Sequence, residues 1–336
     1  MVPNRQVGRR TVVKGGLAAT VIGAGAPGIA MAKSQPGPAN EQPEIYSTAD
    51  WEARPPDDDI VIEDHAPTYI VVHHTVEPAN EEDFSREHAF EISRAIQNYH
   101  MDSRGWIDTG QQFTISRGGY ITEGRHHSLE TLQEGLRHVQ GANVANRNSE
   151  VIGIENEGLY TKEDVPDALW DSLVGLVTYM AYQYDVPVEL IKGHRDFNST
   201  QCPGDVLYAR MPELRRTVAR RLRRPYPSED QLEWPLLRPG DRGREVQLAQ
   251  RLLRARGARD VPDDGVFGPA TQAAVAALAT AHRIADPGCG AARRAEERGL
   301  LGADVWPLLV DDERSTADWK ALLARATPVA PAAGNP

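Results

Sequence analysis

Cysteine is scarce in this sequence, with two residues among 336. So few cysteines cannot build the disulfide framework that holds many small secreted domains together. They leave two possibilities, a single bridge between them or one metal ligand with one further thiol. Their number alone does not decide between the two.

Basic side chains are also in short supply. Lys and Arg number 37 against 48 Asp and Glu, so the formal net charge is −11. Because nucleic-acid binding needs a basic face that displaces counterions, this balance excludes general nucleic-acid binding. The Pro and Gly contents, 24 and 29 residues, exclude a collagen-like or wholly disordered chain. A length of 336 residues predicts two domains with connecting segments.

Long hydrophobic runs are missing as well, since no segment offers the roughly 20 apolar residues that a membrane helix needs. The N-terminus instead carries Arg9-Arg10, then a weakly apolar run rich in Gly and Ala that ends in Ala30-Met31-Ala32. This order predicts a twin-arginine-type export signal over residues 1–32. We therefore expect a secreted protein, with a flexible leader over residues 33–50.

Residues 51–224 alternate short apolar runs with amphipathic stretches. This alternation predicts an α/β domain with a mixed central β-sheet flanked by helices. The expected strands are Tyr69–His74, Gln112–Ser116, Tyr120–Glu123, Val151–Glu155 and Val188–Lys192, and the expected helices are Phe84–Met101, Asp167–Tyr184 and Asp205–Arg223. Ser85 is the expected N-cap of the first helix.

Three prolines within residues 225–235 predict a linker. Beyond it, residues 236–310 predict a second, small all-α domain of three helices, followed by a C-terminal helix and tail over residues 311–336. The expected helices are Arg244–Arg256, Pro269–His282 and Asp304–Leu309. Asp264-Gly265 and Gly268-Pro269 predict a tight turn before the second of them.

Three residues of the first domain have metal-binding chemistry: His73 at a strand end, His194 and Cys202. Imidazole and thiolate suit Zn²⁺, and three protein ligands leave a fourth position for water, which is typical of catalytic zinc. Spacing alone leaves His73 and His74 as alternatives. Because successive strand residues face opposite sides of a sheet, only one of the two can face the site.

Five sequence blocks follow one another in the first domain. They are Tyr69–Thr75, Gln97–Met101 with Gly105–Gly110, Glu123–Arg125, Ile152–Glu155, and Gly193–Asp196 with Cys202–Gly204. From Trp51 to Arg223 the chain resembles the family of peptidoglycan recognition proteins and type 2 N-acetylmuramoyl-L-alanine amidases. Residues 236–310 resemble the three-helix peptidoglycan-binding domain of bacterial wall hydrolases, a spacer or dimerisation bundle being the alternative.

The resemblance implies a zinc-dependent amidase that cleaves the bond between N-acetylmuramic acid and L-alanine of the stem peptide. It implies His73, His194 and Cys202 as zinc ligands and Glu155 as the proton carrier. Glu157, expected on the same strand face, is the reserve for Glu155. A solvent-facing carboxylate at a strand end is the alternative reading of Glu155.

Two further positions belong to the implied catalytic site. Gln111 stands where many relatives carry a catalytic tyrosine, and its amide can donate a hydrogen bond. Thr200 lies two residues before the cysteine, where its hydroxyl could donate to an oxyanion. A local turn, closed by the hydroxyl, is the alternative for Thr200. Trp106, Arg125 and His138 lie in blocks that line the substrate groove of relatives, and are the expected substrate-binding residues.

The expected partner is therefore peptidoglycan, bound by a monomer associated with the cell wall. The main alternative is a peptidoglycan-binding protein without turnover, which Gln111 favours and the complete ligand set disfavours. A wall peptidase is a third possibility. With Cys202 as a ligand, a bridge to Cys289 would remove it from the metal, so we predict that both cysteines are unbridged.

Overall fold

The computed structural model describes residues 41–226, 234–285 and 297–310. The predicted export signal, most of the linker, Cys289 and the C-terminal segment from residue 311 lie outside these ranges. Within them, no helix combines the length and the apolar character needed to cross a membrane.

A six-stranded mixed sheet forms the centre of the first domain, in the order β1-β5-β4-β7-β3-β8. The strands are β1 Ile45–Tyr46, β3 Tyr69–His74, β4 Phe113–Ile115, β5 Ile121–Glu123, β7 Val151–Asn156 and β8 Ile191–Gly193. β3 pairs in parallel with β7 and β8, and β4 pairs in parallel with β7. β4 and β5 form the predicted antiparallel hairpin. A separate antiparallel pair joins β2 Ile62–Glu63 to β6 His138–Val139.

Helices cover both faces of this sheet, as predicted. They are α1 Arg86–Asn98, α2 Ser128–Glu134, α3 Asp167–Gln183, α4 Asp205–Ala209 and α5 Met211–Leu222. One face carries Ile70, Val72 and Ile154 into the core formed with α3 and α5. The opposite face lies against α1, where Ser93 Oγ is 2.8 Å from Thr122 Oγ1. The functional site is on this second face.

The N-terminal end of α1 follows the expected cap. Ser85 has extended backbone angles, and its side chain accepts a hydrogen bond from the amide of His88. At its other end the helix continues into one turn of π-helix over Tyr99–Ser103. Such turns are often found at functional sites, and this one bears on the cavity described below.

Three expected boundaries are wrong. The flexible leader ends earlier than residue 50, because Ile45 and Tyr46 pair in parallel with β5. A two-residue strand leaves no periodic signal in the sequence. The helix predicted over Asp205–Arg223 is broken at Arg210, because Pro212 offers no amide hydrogen and starts a new helix. The strand predicted over Val188–Lys192 begins as a 3₁₀ turn, Val188–Leu190, and only then becomes β8.

The second domain consists of α6 Arg244–Ala255, α7 Pro269–Ala281 and α8 Trp306–Leu309, packed around one apolar core. The end of the expected linker belongs to this domain. Trp234 stacks on Trp306 with 5.6 Å between ring centroids, and Trp306 Nε1 donates to the carbonyl of Pro235 at 2.7 Å. The third helix begins two residues later than predicted.

The Asp-Gly turn of this domain is held by one buried side chain. Gln250 is fully buried, and its Nε2 donates to Asp264 Oδ1 and to the carbonyl of Val266, both at 2.9 Å. Its Oε1 accepts the amide of Gly265 at 2.8 Å. Gly265 has φ +68°, a left-handed conformation that favours glycine. The turn therefore depends on both its glycine and a distant glutamine.

Replacing Gln250 by Leu should destabilise the second domain by about 2 kcal/mol, because it leaves the buried amide of Gly265 without its acceptor and removes a buried bond to Thr271 Oγ1. The measurement is urea unfolding of the full chain, followed by tryptophan fluorescence. Gln272→Leu is the matched control, since that side chain makes one exposed hydrogen bond to the carbonyl of Arg298. Equal midpoints for both variants would contradict the assignment.

Candidate metal centre

The register of the sheet aligns polar side chains in one row. His73 on β3 is paired with Glu155 on β7, and Glu155 is paired with Thr114 on β4. Residues paired directly across neighbouring strands project from the same face. The row therefore lies on the α1 side, near the carboxyl ends of the parallel strands, where open α/β sheets bind their ligands.

Three metal-binding side chains converge at one end of this row. His73, His194 and Cys202 each have 0% exposure, and one ligand atom from each lies within 4.8 Å of the others. Cys202 Sγ is 3.6 Å from His73 Nδ1, and the two imidazole centroids are 4.5 Å apart. No other group of this kind occurs among the described residues.

The loop of residues 194–202, called here the ligand loop, carries two of these side chains. It leaves β8 through a 3₁₀ turn in which an Asp196 carboxylate oxygen accepts the amide of Gly193 at 2.8 Å. Its ends are tied together, because the amide of Arg195 donates to the carbonyl of Cys202 at 3.1 Å. This closure brings His194 and Cys202 to the same point although seven residues separate them.

The donor set fits a zinc ion. His194 Nδ1 is buried without a hydrogen-bond partner, whereas its Nε2 donates to Asn198 Oδ1 at 3.1 Å. That bond leaves the Nδ1 lone pair available to a metal. Burial, and then the neighbouring His194 and His74, hold the pKa of His73 well below its ordinary value, so this imidazole is neutral. Two imidazoles and a cysteine thiolate are a typical zinc ligand set.

The alternation of side chains along β3 decides between His73 and His74. His74 projects from the opposite face, where it is fully buried and its Nδ1 accepts the amide of Tyr160 at 3.3 Å. Its own backbone amide donates to Cys202 Sγ at 3.4 Å. His73 is therefore the member of the metal-binding group, and His74 supports the site from behind.

A cavity of about 340 Å³ opens beside Glu155, the member of the row that belongs to its lining, and its size is within the range of small-ligand sites. One wall is α1 with the π-turn, the other is the segment after β3, and Glu155 belongs to the lining. The lining residues are Thr75, Glu77, Pro78, Ile92, Ala95, Ile96, Tyr99, His100 and Glu155. Glu155 is only 7% exposed, so the reading of a solvent-facing strand end is wrong.

His100 is a lining residue that sequence reasoning did not single out. Its Nδ1 accepts the amide of Gly110 at 3.1 Å, which puts the ring proton on Nε2. Burial, helped by Arg125 and Arg104, lowers its pKa to about 3, so the ring is neutral at ordinary pH. Within the described part of the chain, no residue accepts the Nε2 proton. The ring therefore offers a neutral hydrogen-bond donor at the cavity.

Glu157, the reserve for Glu155, is engaged elsewhere. It is fully buried, with Oε1 at 2.9 Å from His88 Nε2 and Oε2 accepting the amide of Arg117 at 2.8 Å. Both carboxylate oxygens are therefore bound by protein donors. Glu157 joins α1 to the hairpin turn, while Glu155 lies in the cavity lining.

Comparison with known proteins identifies the family to which the chain belongs. The model of the N-acetylmuramoyl-L-alanine amidase family matches residues 63–205, and that of a peptidoglycan-binding domain matches residues 242–285. Peptidoglycan-recognition protein SC2 of Drosophila melanogaster is 31% identical over 161 residues, which are 48% of this chain and 80% of that protein. The chain belongs to the family of peptidoglycan recognition proteins and N-acetylmuramoyl-L-alanine amidases.

Other family members match over different shares of their length. Drosophila melanogaster peptidoglycan-recognition protein LB is 30% identical over 166 residues, which are 49% of this chain and 66% of that protein. Human N-acetylmuramoyl-L-alanine amidase is 31% identical over 173 residues, 47% of this chain and 28% of the human protein. The solved structure of wild-type Drosophila protein LB is 28% identical, covers 50% of this chain and 92% of its own, and superposes with a TM-score of 0.44.

Two positions expected in the catalytic site of this amidase-family domain make local hydrogen bonds. Gln111 is 1% exposed and donates from Nε2 to Thr114 Oγ1 at 2.9 Å, beside the polar row. Thr200 Oγ1 accepts the amide of Cys202 at 3.1 Å, which is the local turn considered as its alternative role. Neither residue is part of the cavity lining.

The three residues expected to bind substrate differ in their surroundings. Arg125 is buried, and its Nε and Nη1 donate to the carbonyls of Thr109 and Gln140 at 2.6 and 2.9 Å. His138 lies in the small two-stranded sheet with its Nδ1 at 2.8 Å from the carbonyl of His65. Trp106 is half-buried and packs on His100, with 4.6 Å between ring centroids. This ring contact places Trp106 against a residue of the cavity lining.

We expect the purified full chain to hold one zinc ion per molecule, measured by elemental analysis after extensive dialysis. His73→Ala and Cys202→Ser should each reduce the zinc content at least tenfold, because two remaining ligands hold the ion weakly. His282→Ala is the control, since this histidine is exposed on the second domain. Zinc that survives both ligand substitutions would contradict the assignment.

Proposed function

We propose that this protein is a zinc-dependent hydrolase of peptidoglycan that cleaves the amide bond between N-acetylmuramic acid and L-alanine. One arrangement supports this proposal most directly. The three buried side chains of the metal-binding group lie next to Glu155, a buried carboxylate that lines a cavity. Structural zinc sites use four protein ligands, whereas three ligands leave a position for water and substrate. Membership of the amidase family supports the same reaction.

Glu155 is the residue to which we assign the proton transfers. A zinc ion held by the three ligands would supply Lewis acidity, acting on a water molecule and on the lactyl carbonyl. Glu155 takes a proton from the attacking water and returns it to the departing amine of L-alanine. The pairing of Glu155 with His73 on the neighbouring strand keeps the carboxylate beside the zinc ligands during both proton transfers. We assign no step to Gln111.

The cavity is suited to the stem peptide next to the scissile bond. Ile92, Ala95 and Ile96 give one wall an apolar character, and His100 contributes a directional donor. The second domain, which matches a peptidoglycan-binding domain, adds affinity for the polymer. Substrate on the wall lies outside the cell, and we propose export through the signal expected in residues 1–32.

Glu155→Gln should keep its zinc and lose activity by at least about 100-fold, because a positioned acid–base group contributes that much or more. The assay digests purified peptidoglycan and counts new L-alanine amino termini and new reducing ends. Glu91→Gln is the matched control, since Glu91 is exposed on α1. Full activity of Glu155→Gln would refute its role.

The same digest separates the competing functions. Zinc-dependent release of L-alanine amino termini without reducing ends supports the amidase. Retained binding to peptidoglycan without any product supports a recognition protein, the function favoured by Gln111 in the position where many relatives carry a catalytic tyrosine. New amino termini on other residues support a peptidase.

His100→Phe should raise KM for a soluble muropeptide about tenfold and change kcat less, because it removes one hydrogen bond to bound substrate. His100→Gln restores a donor at the same reach and should recover part of the loss. The acid limb of the pH–rate profile should stay in place in both variants, since a pKa of about 3 keeps His100 neutral throughout the working range. A KM unchanged in His100→Phe would contradict this role.

A further inference from the structure

The second domain lies directly against the ligand loop. Two of its side chains, Asp304 and Glu297, accept hydrogen bonds from this loop. The amide of Gln201 donates to Glu297 Oε1 at 2.8 Å, and Arg238 Nη1 donates to Gln201 Oε1 at 3.1 Å. These contacts therefore reach the residue that directly precedes Cys202 in the loop.

Asp304 contacts the middle of the ligand loop. Its Oδ1 accepts from Ser199 Oγ, and its Oδ2 accepts from Asn198 Nδ2 at 3.3 Å. Ser199 Oγ in turn accepts the amide of Gly302 at 2.9 Å. Asn198 and Ser199 are only 3% and 8% exposed, so water competes little for these bonds.

Asn198 connects this contact to the metal centre. Its Oδ1 accepts from His194 Nε2 at 3.1 Å, while its Nδ2 donates to Asp304. An amide held at both ends cannot rotate without losing both bonds. The donation from Nε2 keeps the proton on that nitrogen and leaves Nδ1 for the metal.

The second domain and the ligand loop are also closely packed at this point. A Cβ placed on Gly302 would lie 2.7 Å from the Cα of Ser199, so this position accepts only glycine without a shift of the loop. Arg238 also forms an ion pair with Asp205, just beyond the loop. The surfaces of the two domains are thus complementary where they meet.

We propose that Asp304 of the peptidoglycan-binding domain is a positioning residue for the metal centre of the amidase domain. It acts through Asn198, whose orientation fixes the His194 imidazole toward the ion. The inference rests on the proposed zinc site. It makes the second domain a structural part of that site, in addition to any affinity it has for the wall.

The test measures how fast zinc leaves the full-length protein for a chromogenic chelator in excess. Asp304→Ala and Gly302→Ala should each accelerate release at least tenfold, the usual size of the effect when a hydrogen-bond partner of a ligand is disturbed. Asp260→Ala and Gly268→Ala are the matched controls. Asp260 is exposed, and a Cβ on Gly268 meets nothing closer than 3.9 Å.

A double substitution separates positioning from general loosening. If Asp304 acts through Asn198, zinc release from Asn198→Ala should be fast already, and adding Asp304→Ala should change it less than twofold. The cobalt-loaded protein gives a second readout, because the visible bands of Co²⁺ report the geometry of its ligands. Asp304→Ala should alter these bands, and Asp260→Ala should leave them unchanged.

The outcomes distinguish this inference from the function on which it rests. A wild-type chain that binds no zinc overturns both. A wild-type chain that holds zinc, together with Asp304→Ala and Gly302→Ala variants that release it at the wild-type rate, overturns the positioning role alone. Additive effects of Asn198→Ala and Asp304→Ala on release also overturn it.

Discussion

The parallel pairing of β3 with β7 is the constraint on which the site depends. It sets His73 beside Glu155, and the alternate residues of the same strands enter the apolar core. A slip of one residue would turn Glu155 into that core and bring Ile154 to the cavity. The hydrophobic core therefore fixes the position of Glu155 relative to His73, although no residue of that core is assigned a chemical step.

Burial determines the chemistry open to the three side chains of the proposed zinc site. His73, His194 and Cys202 have no exposure, so water does not satisfy their lone pairs, and the neutral state of His73 follows from the same desolvation. A bound cation compensates the buried lone pairs of these three side chains better than any neutral partner. Burial alone, however, does not identify the residue proposed to transfer protons. Glu157 is more buried than Glu155, but its two oxygens are bound to His88 and to a backbone amide, which removes it from the cavity.

Much of this organisation could be predicted from sequence because its signals are local. Alternation along β3 predicted that only one of His73 and His74 faces the site, and the Asp-Gly turn and the hairpin carry their own turn residues. His100 gave no such signal, since its role depends on the π-turn after α1 and on the amide of Gly110. Nor does the sequence indicate that Arg125 donates from Nε and Nη1 to the backbone carbonyls of Thr109 and Gln140.

Contacts between distant parts of the chain could not be predicted, because they leave no local signal in the sequence. Asn198 and Asp304 are more than one hundred positions apart, and neither has a pattern that indicates the other. Their pairing nevertheless accounts for the composition of the ligand loop, in which Asn198, Ser199 and Thr200 are short polar residues. Asn198 joins a metal ligand to the second domain, Ser199 bonds to Asp304, and Thr200 accepts the amide of Cys202. An apolar side chain at any of these positions would leave a buried polar group without its partner, so the loop must be polar although it is hardly exposed.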